Sequence, residues 1–284
     1  MRVSTSPTAH SNAGGVMSIR KGYADTISGQ IHYRTAGSSP GAPVVLLHQT
    51  ASSSASYERL IPLLANERRV YALDTPGFGQ SFEPDEVPDL DCLIGALLEA
   101  LTSLGIEKCH VFGHHTGACL GVEMAARYPT RVASLALSGP LPMTPEQQRE
   151  YHTAISHAFS PEPTGAYLMD TWKYLADHGA ARDLDVVHRE VLDHVRAWRS
   201  RALTYDKVWF QDFAGFLQRV ECPLLLMCAD DDLLWPFFGR SRELRPDATA
   251  VVIPSASNFA ADYQPQFVAD HYREFLASVP GSAA

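Results

Sequence analysis

Six short runs of almost continuously apolar residues constrain the fold of this chain most strongly. They lie at 44–47, 69–73, 109–112, 133–137, 224–227 and 250–253. Longer runs with helical periodicity fit between them, at about 55–65, 88–104, 116–128, 236–244 and 264–277. Strands without polar alternation are typical of a sheet that helices cover on both faces. The pattern therefore predicts an α/β fold built on a mostly parallel sheet.

Two further runs, at 23–27 and 30–34, flank a Ser-Gly pair near the start of the chain. Their residues alternate between apolar and polar, which is typical of a strand with one solvated face. We expect an antiparallel hairpin at an exposed edge of the sheet, which brings the predicted strands to eight.

The alternation of strands and helices is interrupted once. Between the runs at 133–137 and 224–227, some 85 residues have the pattern of successive helices. We expect this insertion, at about 141–219, to form a helical lid over the active site, with a cap and first turn at 142–147. Its aromatic residues include Trp172 and Trp209, which are candidate substrate contacts.

The remaining organisation is simple. We expect a single domain over residues 19–284, preceded by a disordered leader at 1–18 that lacks the continuous apolar core of a signal peptide. Within that leader, Met17 is a candidate for the natural start. No apolar run approaches the roughly 20 residues needed to cross a bilayer, so we expect no membrane partner.

Composition and charge narrow the class of partner. The formal net charge of −9 argues against nucleic-acid binding, which needs clustered Lys and Arg, and favours a small-molecule substrate. The five cysteines have no metal-ligand spacing and fit free thiols in a reducing cytoplasm. The sequence leaves the oligomeric state open, with a homodimer as one option.

A Gly-His-His-Thr-Gly segment at 113–117 joins a predicted strand to a predicted helix. It has the shape of a nucleophile elbow, G-x-S-x-G, in which a sharp turn presents the central side chain above the sheet. Small residues flank that position because the backbone is held in a sparsely allowed region. The central residue here is His115, where a Ser, Cys or Asp nucleophile normally stands.

Four segments together resemble the α/β-hydrolase superfamily, of the epoxide hydrolase, haloperoxidase and meta-cleavage hydrolase type. Leu-Leu-His-Gln-Thr at 46–50 resembles its LLHG oxyanion loop, and the segment at 74–81 resembles its DxxGxGxS turn. The segment at 230–236 resembles its acid loop and that at 253–259 the loop of its catalytic histidine. The resemblance covers about residues 23–276 and implies an α/β-hydrolase fold with an eight-stranded sheet and a helical lid.

The same resemblance assigns the positions of the catalytic triad and the oxyanion hole. It places the acid at Asp232 and puts Asn258 where the catalytic histidine is expected. It implies that the oxyanion donors are the N–H groups of Thr116 and of Gln49 or Thr50. Two of the three triad positions are therefore changed.

Without a serine at the elbow or a histidine on the last loop, the usual acyl-serine route is closed. Ser257 and Thr116 are candidates for a displaced nucleophile, although the elbow presents neither of them. We hypothesise that His115 acts as a general base and that Asn258 donates a hydrogen bond. Asp232 then acts on whatever lies between these two side chains.

Three functions remain open for such a site. One is hydrolysis of an ester, lactone, amide or activated C–C bond by a water molecule that His115 activates. A second is substrate proton abstraction by a cofactor-free lyase, decarboxylase, isomerase or oxygenase, an argument by analogy with other superfamily members. The third is a binder of small ligands without catalytic activity.

The other histidines have less specific interpretations. His48 and His114 are possible substrate contacts, and His48 in particular fits a structural hydrogen-bonding role. We expect no metal, because His114 and His115 should point in different directions and no HxH or HxxxH pair supports a zinc or iron site. We expect no cofactor either. The lid histidines are expected to face solvent or to pack locally: His152, His157, His178, His188 and His194.

Overall fold

The computed structural model describes residues 18–84, 89–156 and 159–281. The predicted leader, apart from Ser18, lies outside the described residues, as do Met17 and His157.

Eight strands form one sheet in the order β1-β2-β4-β3-β5-β6-β7-β8. The first two strands run antiparallel to their neighbours, and β3 to β8 are parallel. This confirms the predicted mostly parallel sheet with a hairpin at one edge. The strands are β1 Arg20–Asp25, β2 Gln30–Ala36, β3 Val44–Leu47, β4 Val70–Leu73, β5 Cys109–His114, β6 Val132–Ser138, β7 Leu224–Ala229 and β8 Thr249–Ile253.

Eleven α-helices lie within the described residues. Those outside the long insertion are α1 Ile61–Leu64, α2 Leu90–Ser103, α3 Thr116–Arg127, α9 Trp235–Leu244, α10 Ala260–Tyr263 and α11 Pro265–Ser278. Those between β6 and β7 are α4 Pro145–Ile155, α5 Ala166–Asp177, α6 Leu184–Arg196, α7 Trp198–Val208 and α8 Phe213–Arg219. Among the described residues, no helix is both long and apolar enough to span a membrane.

The central strands are buried on both faces. In β3, Val45 and Leu47 belong to the apolar core that includes α2 and α3, whereas Val44 and Leu46 belong to the core that includes α11. Successive side chains of a strand point to opposite faces, so both sets must be apolar. This two-sided burial explains the continuous apolar runs.

The predicted helix at 55–65 is wrong as a single element. The structure has a 3-10 helix at Ser54–Tyr57, followed by the short helix α1. Pro62 lies in the first turn of α1, where its missing N–H is tolerated, and it cannot sit in the interior of one longer helix.

The long insertion begins as predicted. Thr144 caps α4 by accepting a hydrogen bond from the N–H of Gln147, whose side chain accepts one in return from the N–H of Thr144. This reciprocal capping box fixes where the first helix of the insertion leaves the sheet. The assignment of the insertion as a lid stays a prediction.

Candidate active site

The elbow connects the end of β5 to the start of α3. His115 stands between them with φ 49° and ψ −108°, a conformation that side-chain-bearing residues rarely adopt. The flanking glycines are required by close packing: a Cβ at Gly113 would lie 2.1 Å from the carbonyl oxygen of Gly117. A Cβ at Gly117 would lie 2.0 Å from the carbonyl oxygen of Leu47. The turn therefore has the geometry of a nucleophile elbow, with an imidazole in the central position.

Asp232, on the loop after β7, binds this imidazole directly. Nε2 of His115 lies 2.9 Å from Oδ2 and 3.1 Å from Oδ1 of Asp232, whose side chain is 1% exposed. Oδ1 also accepts the N–H of Leu234 at 2.7 Å. The expectation that Asp232 acts on something between His115 and Asn258 is therefore wrong. An imidazole reaches farther than a serine side chain and fills that space.

This contact decides which nitrogen of His115 is available. A carboxylate only accepts hydrogen bonds, so Nε2 carries the hydrogen and, in a neutral ring, Nδ1 holds the lone pair. The edge of the ring formed by Nε2 and Cδ2 also faces Gly139, where a Cβ would lie 2.3 Å from Cδ2 and 2.7 Å from Nε2. Nδ1 therefore lies on the edge away from Gly139, without a hydrogen-bond partner in the described part of the chain.

Asn258 lies next to this pair. Its Oδ1 accepts the N–H of Leu233 at 3.0 Å, which ties the last loop to the acid loop. Its side-chain nitrogen has no hydrogen-bond partner among the described residues, and Asn258 lines the same cavity as His115. The amide is thus positioned to donate a hydrogen bond into that cavity.

His114 stacks on His115, with ring centroids 4.2 Å apart and an interplanar angle of 22°. The expectation that the two rings point in different directions is therefore wrong. His114 donates from Nε2 to the carbonyl oxygen of Asn258 at 3.0 Å, and its Nδ1 lies 2.9 Å from the hydroxyl of Ser138. Burial, reinforced by the neighbouring His115, lowers the pKa of His114 to about 3.

This stacking brings three potential metal ligands together, since one atom each of His114, His115 and Asp232 lies within 4.8 Å of the others. Their chemistry fits a metal poorly. His114 uses Nε2–H on a carbonyl and receives Ser138 at Nδ1, and His115 uses Nε2–H on the carboxylate. A metal would have to displace these hydrogen bonds. That the site works without a metal stays a prediction.

The three predicted oxyanion donors lie around the same cavity as His115. Thr116 is the first residue of α3, so its N–H has no partner within the helix. Gln49 and Thr50 follow β3, and the carbonyl oxygen of Gln49 accepts Nδ1–H of His48 at 2.8 Å. Backbone donors at these positions suit a developing negative charge on oxygen.

A cavity connects these groups to the insertion. The sheet side supplies Gln49, Thr50, His115, Thr116 and Asn258. The insertion supplies an aromatic and histidine wall that includes Tyr174, His178, His194, Tyr205 and Trp209. Of the predicted substrate contacts, Trp209 lines the cavity, whereas His48, His114 and Trp172 lie outside the lining.

This chain is similar in sequence and in fold to known proteins. A family model described as the alpha/beta hydrolase fold matches residues 42–159. The protein named "Putative carbamate hydrolase RutD" from Shigella flexneri is 30% identical over 226 residues, which cover 75% of this chain and 83% of that protein. The chain belongs to the α/β-hydrolase family.

Two further relatives extend the match along this α/β-hydrolase. The 2-hydroxy-6-oxo-6-(2'-aminophenyl)hexa-2,4-dienoic acid hydrolase of Metapseudomonas resinovorans is 24% identical over 278 residues, or 94% of this chain and 89% of that protein. The crystal structure of the enol-lactonase from Burkholderia xenovorans has a TM-score of 0.74 at 20% identity. It covers 90% of this chain and 100% of its own. The latter similarity concerns the fold.

Other candidate residues of the α/β-hydrolase site are held by the protein itself. The hydroxyl of Ser257 donates to the carbonyl oxygen of His178 at 3.1 Å. Nδ1 of His48 donates to Gln49, and its Nε2 accepts the N–H of Thr75 at 3.0 Å. These contacts indicate that His48 orders the loop after β3 and that Ser257 joins the last loop to the insertion.

Sequence reasoning missed two cavity residues of the insertion. His178, which follows α5, and His194, on α6, line the cavity. The expectation that they face solvent or pack locally is therefore incomplete. His152 and His188 fit it better, since His152 pairs with Asp206 at 2.7 Å and His188 is exposed. No motif marks His178 or His194, because their convergence depends on how two helices pack.

Proposed function

We propose that this α/β-hydrolase hydrolyses a small carbonyl substrate, namely an ester, lactone, amide or activated C–C bond, with His115 as general base and water as nucleophile. The observation that carries the proposal is the hydrogen bond of 2.9 Å between Nε2 of His115 and Asp232. It fixes the tautomer in which Nδ1 is the basic atom. Asp232 thus has the orienting role that the acid plays in a catalytic triad.

The reaction needs one proton relay. Nδ1 of His115 removes a proton from water while the water oxygen attacks the carbonyl carbon. The carbonyl oxygen becomes an oxyanion, which accepts hydrogen bonds from the N–H of Thr116 and from that of Gln49 or Thr50. When the bond to the leaving group breaks, the imidazolium returns the proton to that group, and His115 is neutral again.

Asn258 supports the attack as a hydrogen-bond donor. Its Oδ1 is engaged by Leu233, so its side-chain nitrogen is oriented and available to a water or substrate oxygen. A neutral donor at this position holds the nucleophile without competing with His115 for its proton.

The names of the relatives favour hydrolysis over substrate proton abstraction. The proteins at 30% and 24% identity are named as a carbamate hydrolase and a dienoic acid hydrolase. Both names describe hydrolysis, which is the class of reaction proposed for this site.

The decisive test runs the reaction in water enriched in ¹⁸O after a screen of small carbonyl compounds by mass spectrometry. Hydrolysis places one heavy oxygen in the acid product, whereas a lyase or isomerase reaction places none. His115→Ala should abolish turnover, while His152→Ala, a histidine paired with a different aspartate on the surface, should not. Strong labelling of a serine by a fluorophosphonate would contradict the assignment of His115.

A further inference from the structure

The cavity next to His115 contains no charged wall. Among the described residues that line it, none is Asp, Glu, Lys or Arg. The carboxylate of Asp232 is 1% exposed and is covered by the imidazole that it binds. A charged group that enters such a cavity loses its hydration and meets no opposite charge among the lining residues, which is unfavourable. The guanidinium of Arg201 lies over the rings of Tyr174 and Tyr205 and is not part of the lining. The cavity therefore selects against charged molecules.

The wall from the insertion presents hydrogen-bond acceptors. Nδ1 of His178 lies 2.7 Å from the carbonyl oxygen of Tyr174, and Nδ1 of His194 lies 2.9 Å from that of Glu190. A carbonyl oxygen only accepts, so both Nδ1 atoms carry the hydrogen. In each neutral ring the lone pair is on Nε2, which has no hydrogen-bond partner among the described residues.

Nε2 of His194 remains a hydrogen-bond acceptor at all pH values near neutrality. Burial, together with the charge of Arg201, lowers the pKa of His194 to about 3. The ring is 4% exposed and lies in the wall between α6 and the cavity. An unpartnered acceptor at such a site favours a ligand that donates a hydrogen bond to it.

We infer that the substrate is an uncharged carbonyl compound with an N–H or O–H donor outside the scissile bond, and that His178 and His194 determine this specificity by accepting that donor. The inference rests on the proposed function for the identity of the reacting group. The aromatic side chains of Tyr174, Tyr205 and Trp209 supply the apolar surface for the rest of the molecule.

The test measures affinity in a His115→Ala variant, so that no ligand is consumed. The probes are neutral aryl esters that carry a secondary amide N–H away from the ester bond. Each is compared by calorimetry with its N-methylated counterpart and with the analogue in which a carboxylate replaces that amide. We expect the N–H probes to bind about tenfold more tightly than either counterpart, as one satisfied buried hydrogen bond predicts. The inference would be overturned if an N–H probe and its two counterparts bound with equal affinity, or if no N–H probe bound.

Substitutions in the cavity wall test which residues cause the preference for a ligand with an N–H donor. His178→Phe and His194→Phe keep a planar ring and remove the acceptor, so each should reduce the preference for the N–H probe to about threefold or less. His152→Phe, outside the cavity, should leave the preference unchanged. An unchanged preference in both wall variants would refute their role. Failure of the proposed hydrolysis would appear in wild-type turnover and not in these affinities.

Discussion

Asp232 holds Nε2 of His115 at 2.9 Å while the same carboxylate accepts the N–H of Leu234 at 2.7 Å. The N–H of Leu234 orients the carboxylate of Asp232, and this carboxylate orients the imidazole of His115. In Asp232→Asn, the amide oxygen retains Leu234 and the NH₂ group faces Nε2, which reverses the tautomer and protonates Nδ1. We expect kcat to fall by about a hundredfold to ten-thousandfold, measured on the substrate found by screening.

The matched control for this variant is Asp206→Asn. Asp206 also pairs with a histidine, His152 at 2.7 Å, but does so on the surface of the insertion. Its loss should leave kcat within about twofold of the wild type, because exposed ion pairs contribute little. Equal activity of Asp232→Asn and the wild type would show that Nδ1 of His115 is not the base.

Gly139 provides the second prediction. It has φ 66°, and an added Cβ would lie 2.3 Å from Cδ2 of His115. Gly139→Ala should therefore displace the imidazole and lower kcat by about tenfold to a hundredfold, and it should destabilise the fold by about 1–3 kcal/mol. Steady-state kinetics and urea unfolding measure the two effects.

Gly239→Ala is the corresponding control. Gly239 is exposed on α9, and a Cβ there would meet no atom within 4 Å. This change should leave kcat unaltered and stabilise the protein by about 0.5–1 kcal/mol. If both alanine variants retained full activity, close packing at Gly139 would not control the position of His115.

The fold could be predicted from the sequence because a strand that is buried on both faces of a sheet consists of a continuous run of apolar residues. Runs such as 44–47 are apolar at every position, and the glycines at 113 and 117 mark positions between β5 and α3 where a Cβ would clash with backbone. Asp232 was predictable because the segment at 230–236 resembles the acid loop of the family. These features depend on residues that are close in sequence.

The parts of the site that depend on side-chain reach and on helix packing were not predictable. The direct bond from His115 to Asp232 follows from the length of an imidazole in three dimensions. The stacking of His114 on His115 follows from the reach of His114 toward the last loop and of His115 toward the acid loop. His178 and His194 meet at one cavity because α5 and α6 pack together, and helical periodicity does not record which faces of two helices converge.

The third prediction concerns pH and Asp193, on α6, which accepts a hydrogen bond from the hydroxyl of Ser53 at 2.7 Å. Burial, reinforced by the charge of Glu190, raises the pKa of Asp193 to about 7. The native state then binds a proton that the unfolded chain releases above about pH 4. The free energy of unfolding therefore falls as the pH rises from about 4 to about 7, and the loss is complete above that range.

Asp193→Asn removes this ionisation and retains an oxygen acceptor for Ser53. Because the carboxyl group is partly solvated, we expect a gain of about 2 kcal/mol in the free energy of unfolding at pH 8, and half of that or less at pH 5. Urea unfolding at both pH values measures it. Asp170→Asn, at an exposed position of α5, should change stability by less than about 0.5 kcal/mol at either pH. A gain that is larger at pH 5 than at pH 8 would contradict the raised pKa.

The last prediction rebuilds a triad around Asp232. His115→Ser alone supplies a hydroxyl without a base, and Asn258→His alone adds a base while Asp232 is still bound to His115. The double variant frees Asp232 for the new imidazole, so the two changes should be strongly non-additive. Hydrolysis of p-nitrophenyl acetate should rise about a hundredfold above either single variant, with fluorophosphonate labelling at position 115. Adding Asp232→Asn should remove most of the gain. No gain in the double variant would contradict a competent oxyanion hole formed by the backbone N–H groups of Thr116 and of Gln49 or Thr50.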